Sequence, residues 1–359
     1  MGTLIRYVVR LTPFPARGRG TATGNIFAVF FYLWAVAILA SGRLSTLTAA
    51  DRVSLLVGWA AIYGAAVMLP AARRAGGGRF RVRFEARRPA FAGLVVLMVM
   101  MSAAILAPLI ANHAPDAFED PARTRLTAPS AEHPLGTDRI GRDIFSRVLH
   151  GGRVSLGVGV VAVLLSVALA LVLGCVTGLS RGWIDDVLSR FTDGMLAFPR
   201  LLFVLTLVAL FSNSVWLLVV AIGATSWMRI ARLVRAEVIR LDETEFVRAA
   251  TATGVSTVRI LTRHMLPNAL GPVIVAATLN VGAVILLESY LSFLGLGVQP
   301  PTPSWGAMVF EGRDVLVEAW WVSAFPALAI TVSVVAFNLV GDGLRDALDA
   351  RTTPKPDDS

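Results

Sequence analysis

Residues 242–268 read DETEFVRAATATGVSTVRILTRHMLPN, a polar, helix-forming island between two apolar runs long enough to cross a bilayer. Asp242 or Thr244 is placed to cap a short helix from Glu245 to about Ala252, because a side-chain oxygen there accepts from orphan N–H groups of the first turn. Gly254 offers the left-handed backbone that ends a helix without steric cost. Ser256 is placed to cap a second helix, with Val258, Leu261 and Met265 on one face. Arg259 and Arg263, four apart, share another. Pro267 is expected to stop this helix. The pattern predicts two short helices at a fixed elbow. Ala249 and Ala250 lie on the first, and such small side chains let a helix sink into a partner's groove. Without a partner, the same pattern is an amphipathic connector lying on a lipid surface.

Composition sets the context. Of 359 residues, 55% are hydrophobic and 16% charged, too apolar a balance for an ordinary soluble domain. A formal net charge of +9 would point to nucleic acid in a soluble protein. Here the Arg residues cluster in short segments between apolar runs. No nucleic-acid partner is expected, and the basic surplus suits membrane lipid at a cytoplasmic surface. The single Lys, Lys355, stands between two prolines with no phosphate-cradling glycine loop around it. If ATP drives this protein, another chain binds it. A single cysteine, Cys175, leaves no intrachain disulfide and no multi-Cys metal site. The four histidines, His113, His133, His150 and His264, are scattered without metal-ligand spacing.

Along the chain, a basic leader precedes apolar runs at 25–42 and 53–70, which read as an N-terminal two-helix membrane hairpin within residues 1–70. The first long apolar run starts too late for a signal peptide. Residues 71–89, with seven Arg and three successive glycines, read as a cytoplasmic Arg-rich linker. Residues 90–351 carry six further runs, at 90–111, 154–179, 194–211, 214–229, 269–291 and 319–340, before a tail at 352–359. The two hairpin runs are each about one bilayer thick at about 1.5 Å per residue, and 194–211 and 214–229 are the shortest of the six core runs. The fold class is an all-α polytopic membrane protein. Pro199 is expected to kink its span. Residues 112–153 read locally as a turn followed by a short amphipathic helix on the membrane surface.

Three polar residues within the spans stand out. Glu288 is the one carboxylate well inside a span, so it is either a proton or ion relay or the partner of a neighbouring polar group near the outer end. Asn280 and Asn338 are placed for hydrogen bonds between helices. Eight spans put both termini on one side. Seven Arg in 71–89 and seven in 229–263, against one in 295–318, place the elbow and both termini in the cytoplasm.

Ala249-Ala250, Gly254 and Leu266-Pro267 at this spacing resemble the EAA loop of ATP-binding-cassette importer permeases. The longer string Glu245-Phe246-Val247, Ala249-Ala250, Gly254 and His264-x-Leu-Pro-Asn is similar to the dipeptide/oligopeptide/nickel branch. Arg248 stands where that loop carries its Glu, with Glu245 about one turn earlier. HPLGTDRIGRDIFSRVLHGGRVSL from His133, GLGVQPPTPSWG from Gly295 and GDGLRDALD from Gly341 are similar to other segments of the branch. The resemblance runs from about Ala90 to Arg351 and leaves out the hairpin.

That resemblance implies a six-helix type I importer permease core in a bacterial cytoplasmic membrane. It makes 242–268 the coupling loop, with Glu245, Arg248, Ala249, Ala250, Gly254, His264, Leu266 and Pro267 as its ATPase-coupling residues. Ala250 is expected to face the ATPase groove. Pro199, Asn280 and Glu288 are candidates for translocation or structure. The implied partners are a second permease, two ATP-binding-cassette ATPase subunits and an extracytoplasmic solute-binding protein. ATP and Mg belong to the ATPases, and this chain holds no cofactor. An ion-coupled secondary transporter is the alternative, and Glu288 is the feature that would serve it.

Overall fold

The computed structural model describes residues 87–117, 124–180, 182–211 and 214–348, together with Phe84. The hairpin expected over 1–70, most of the linker over 71–89 and the tail over 352–359 lie outside the described residues. Among the described residues the chain is helical, apart from an isolated bridge pairing Thr137 with Asp143. The helices are α1 (Arg88–Ile105), α2 (Ala107–Ile110), α3 (Ile144–Leu179), α4 (Trp183–Ala197), α5 (Arg200–Leu210) and α6 (Val215–Ala224). They continue with α7 (Trp227–Asp242), α8 (Glu245–Ala252), α9 (Thr257–Ile260), α10 (Leu266–Phe293), α11 (Trp305–Gly312) and α12 (Trp321–Leu348).

Five stretches are long and apolar enough to cross a membrane: α1, α3, α6 with α7, α9 through α10, and α12. A sixth is α4 with α5, a pair bent by 86°. The core expected from the apolar runs has five such spans, or six with the bent pair counted as one, and their ends differ from those expected. α3 has 36 residues and the rod from α9 to α10 has 37. At about 1.5 Å per residue each is about 55 Å long, well beyond a hydrocarbon core about 30 Å thick.

The largest departure is the span expected over 194–211. It is two helices, because Pro199 supplies no N–H and its ring clashes with the preceding turn. The first, α4, carries Asp185 and Asp186 in its opening turn. Asp185 pairs with Arg235 at 2.7 Å and Asp193 pairs with Arg232, so α4 is strapped to α7.

Close helix packing rests on small residues. A Cβ on Gly174 of α3 would lie 2.6 Å from Val234 Cβ and 2.7 Å from the Ala231 carbonyl, so α7 approaches α3 only because that position is bare. One apolar cluster joins Leu156, Ile222, Ile285 and Phe337 across α3, α6, α10 and α12. A second joins Trp227, Val234, Val238, Val247, Ile260 and Met265 at the elbow end.

At the end opposite the elbow, residues 124–143 fold against α11 and the start of α12. Thr137 N donates to the Thr127 carbonyl at 3.0 Å, and Trp321 Nε1 donates to the Thr137 carbonyl at 3.2 Å. Asp143 caps α3 by accepting from Ser146 N at 2.7 Å. The surface helix expected in this segment is instead the first turns of α3, where Ile144 and Arg147 are buried. Arg147 donates to Asp138 at 2.6 Å and Glu311 at 2.7 Å, and Arg142 donates to the same two carboxylates at 2.6 and 2.7 Å. Two guanidiniums balance two carboxylates, which is what lets Asp138, Arg142 and Arg147 leave water beside the half-buried Glu311.

Candidate functional site

The elbow forms over the predicted residues, by a different means. α8 spans Glu245–Ala252, yet Thr244 makes no side-chain cap and turns its hydroxyl back to the Leu241 carbonyl. Ser256 makes no side-chain cap either. The turn is closed by backbone. Gly254, at φ +79°, donates to the Thr251 carbonyl at 3.0 Å, and Val255 N donates to the Ala250 carbonyl at 3.2 Å. This is a Schellman arrangement, and it fixes where α9 leaves α8.

Pro267 does not stop the second helix. α9 passes through a π-helical turn, Leu261–Met265, directly into α10, where Pro267 sits in the first turn. Leu266 N reaches back five residues to the Leu261 carbonyl. The next residue has no N–H to continue the ladder, and the slip of one residue in the π turn carries the rod past it.

Val247, Ile260 and Met265 are buried and seat the elbow on the second apolar cluster. Val258, expected beside Leu261 and Met265, is exposed. Ala250 follows Val247 by three residues and so shares its face. It is half-buried against that cluster, whereas Ala249 is exposed. Exposed on α8 are Glu245, Phe246, Arg248, Ala249, Thr251 and Ala252. Beyond the turn, Arg263, His264 and Pro267 are exposed and Leu266 is half-buried. Arg248 makes no ion pair among the described residues.

The remaining predicted residues lie elsewhere. Glu288, far along α10 from the elbow, is completely buried. Ser292 Oγ donates to its Oε1 at 2.8 Å and Ser155 Oγ to its Oε2 at 3.2 Å. Ser155 Oγ also accepts from Trp305 N at 3.2 Å, so the carboxylate joins α10, α3 and α11 through a hydroxyl cage. Neither hydroxyl partner titrates, which favours the role of a local partner over that of a relay. Asn280 Nδ2 is buried without a hydrogen-bond partner among the described residues. Pro199 marks the bend between α4 and α5.

Sequence reasoning missed two assemblies at the far end. One is the Asp138–Arg142–Arg147–Glu311 network. The other is the gathering of His113, His133 and Asp143, which bring ligand atoms within 4.8 Å of one another.

Two family descriptions match this architecture. Residues 170–354, which hold the elbow and Glu288, match the inner membrane component of binding-protein-dependent transport systems. Residues 77–129 match the N-terminal transmembrane domain of oligopeptide transport permease C. A dipeptide transport system permease protein of Alkalihalophilus pseudofirmus is 43% identical over 262 residues, covering 73% of this chain and 86% of that one. The chain belongs to the binding-protein-dependent transport permease family. This permease is also 42% identical over 271 residues to an oligopeptide transport system permease protein of Escherichia coli strain K12, across 76% of this chain and 90% of the other. A dipeptide transport system permease protein of Bacillus subtilis is 38% identical over 270 residues, across 75% and 84%. The permease is therefore a multi-pass membrane component of a transport system, not an enzyme, and its family carries no cofactor of its own.

Proposed function

We propose that this permease is the transmembrane subunit of an ATP-driven importer of di- or oligopeptides, or of a related small solute, and that the elbow couples it to ATPase subunits. The observation that carries this reading is the elbow's build. Gly254 sets the angle, Val247, Ile260 and Met265 seat it on the core, and Ala249 presents only a methyl group outward. Dipeptide and oligopeptide permeases among its relatives support the cargo class.

In this reading two ATP-binding-cassette subunits, holding ATP and Mg, dock on the elbows of two permeases. Glu245, Arg248, Ala249, His264 and Pro267 face the ATPase, while Ala250, Gly254 and Leu266 hold the elbow's shape. A push on α8 moves α7 and the rod through α10 together, a rigid-body exchange between two packings. An extracytoplasmic solute-binding protein delivers the cargo at the far end. The second permease packs on the exposed apolar face of α4, α5 and α6, where Trp183, Phe198, Leu202 and Trp216 are uncovered. Arg-rich 229–263 and 71–89 favour a bacterial cytoplasmic membrane with the elbow and both termini inside. The proposed domain division sets 1–70 and the 71–89 linker apart from a core over 90–351.

The purified chain alone is expected to hydrolyse no ATP, and co-expressed ATPase subunits are expected to co-purify with it. Robust hydrolysis by the lone chain, or failure of every cognate ATPase to associate, would overturn the reading. Arg248→Ala is expected to weaken ATPase binding by less than about five-fold, since an exposed charge is worth about 0–1 kcal/mol. A titration of ATPase against the variant in detergent checks this. Abolished binding would make Arg248 a central contact.

A further inference from the structure

The far end holds three metal-ligating side chains that the transport reading leaves unused. His133 and Asp143 are both buried, with His133 Nδ1 3.1 Å from Asp143 Oδ1. His113 stands beside them, its ring centroid 5.0 Å from that of His133 and tilted by 34°. One ligand atom from each of the three lies within 4.8 Å of the others. The residues come from three separate places: His113 follows α2, His133 lies in the loop that leads to α3, and Asp143 is the N-cap of α3.

Asp143 divides its carboxylate between two tasks. Oδ2 accepts from Ser146 N at 2.7 Å and holds the helix cap, leaving Oδ1 to face the imidazoles. Backbone reinforces the third corner, since His113 N donates to Ser146 Oγ at 3.4 Å. Two ligands at about 2.0 Å on a tetrahedral ion stand about 3.3 Å apart, close to the observed His133–Asp143 separation. Rotation of the half-buried His113 ring can close the remaining edges. Among the described residues, the guanidiniums of Arg142, which precedes Asp143, and Arg147, which follows it, are both balanced by Asp138 and Glu311.

We propose that His113, His133 and Asp143 form a binding site for a zinc-type transition-metal ion that clamps the segment after α2 to the start of α3. Two imidazoles and one carboxylate suit Zn²⁺ or Co²⁺ and not Ca²⁺ or Mg²⁺, which demand oxygen ligands. Three protein ligands leave a fourth position for water. The site would stiffen the far end without taking part in coupling at the elbow.

The test uses the full chain in detergent, free of any polyhistidine tag, stripped with chelator and titrated with Co²⁺. One Co²⁺ per chain is expected, with the visible absorption of a tetrahedral site, and Zn²⁺ should displace it. His113→Phe keeps the His133–Asp143 contact while removing one ligand. Its Co²⁺ affinity should fall by more than the ~10–100-fold that loss of an outer-shell partner typically costs. His264→Ala, at the other end of the molecule, should leave binding unchanged. X-ray absorption of the cobalt-loaded wild-type chain should show two imidazoles, which keeps the test informative if His113→Phe misassembles. No bound Co²⁺ in the wild type, fewer than two imidazoles, or undiminished affinity in His113→Phe would each overturn the proposal.

Discussion

Arg147→Leu is expected to destabilise the far end of the permease by about 3–5 kcal/mol, the cost of stranding a partner's charge out of water. Arg147 has only 2% of its side chain exposed, as does Asp138, and it also grips both oxygens of Glu311 at 2.7 and 3.1 Å. Without it, two carboxylates share the single guanidinium of Arg142. The first turns of α3 then lose their anchor to Asp138 in the loop over 124–143 and to Glu311 of α11, and only Arg142 still joins that loop to Glu311. Arg147→Lys keeps the charge but cannot fork between two carboxylates, so it should recover only part of the loss. Arg139→Ala is the contrast. Its pair with Asp314 is about half exposed on both sides, so the change should stay within about 0.5 kcal/mol. Unfolding midpoints in detergent, read together with the amount of protein in the membrane, measure all three. If Arg147→Leu is no worse than Arg139→Ala, the network does not hold the far end.

The contrast between those two arginines also shows what a linear reading reaches. Both lie in one stretch of alternating charges, and nothing local distinguishes them. Glu311 is 164 residues away from Arg147, so only the folded chain reveals which charge is paired and buried. The same holds for His113, His133 and Asp143, whose spacing matches no local ligand pattern. By contrast, the bend at Pro199 and the turn at Gly254 were legible, because each depends on what one residue's backbone can do. Span ends were less so, since α3 and α10 run beyond the apolar stretches that announced them. Polar turns continue a helix wherever neighbours supply packing, as Arg147 does at the start of α3. In the elbow, the first helix and its turn were legible, whereas the second helix runs on through Pro267 into α10. Helical periodicity groups Val247 with Ala250, but which group faces inward is decided by the cluster of α7 and α10 residues beneath it.

Gly254→Val is expected to insert at normal levels and yet lose about ten-fold or more in ATPase association. Gly254 sits at φ +79°, and a Cβ there would meet nothing within 4 Å, so any penalty comes from the backbone and not from a clash within this chain. A left-handed conformation costs an L-residue about 1–2 kcal/mol, and a β-branched side chain tolerates it worst. At about 1.4 kcal/mol per decade, that strain accounts for about a ten-fold loss if it is released by rotating α8 away from its docking angle. The two Schellman bonds, from Gly254 and Val255, would open in the process, freeing the carbonyls of Thr251 and Ala250. Asparagine separates this mechanism from a steric one. It is larger than alanine but accepts left-handed φ readily, so Gly254→Asn should stay within about three-fold of the wild type while Gly254→Ala falls between. Titration of cognate ATPase against each variant in detergent, alongside solute uptake in cells, gives the order. If asparagine is as damaging as valine, the bare position serves a partner's close approach instead of the turn. If valine binds normally, the elbow's angle is not what the ATPase reads.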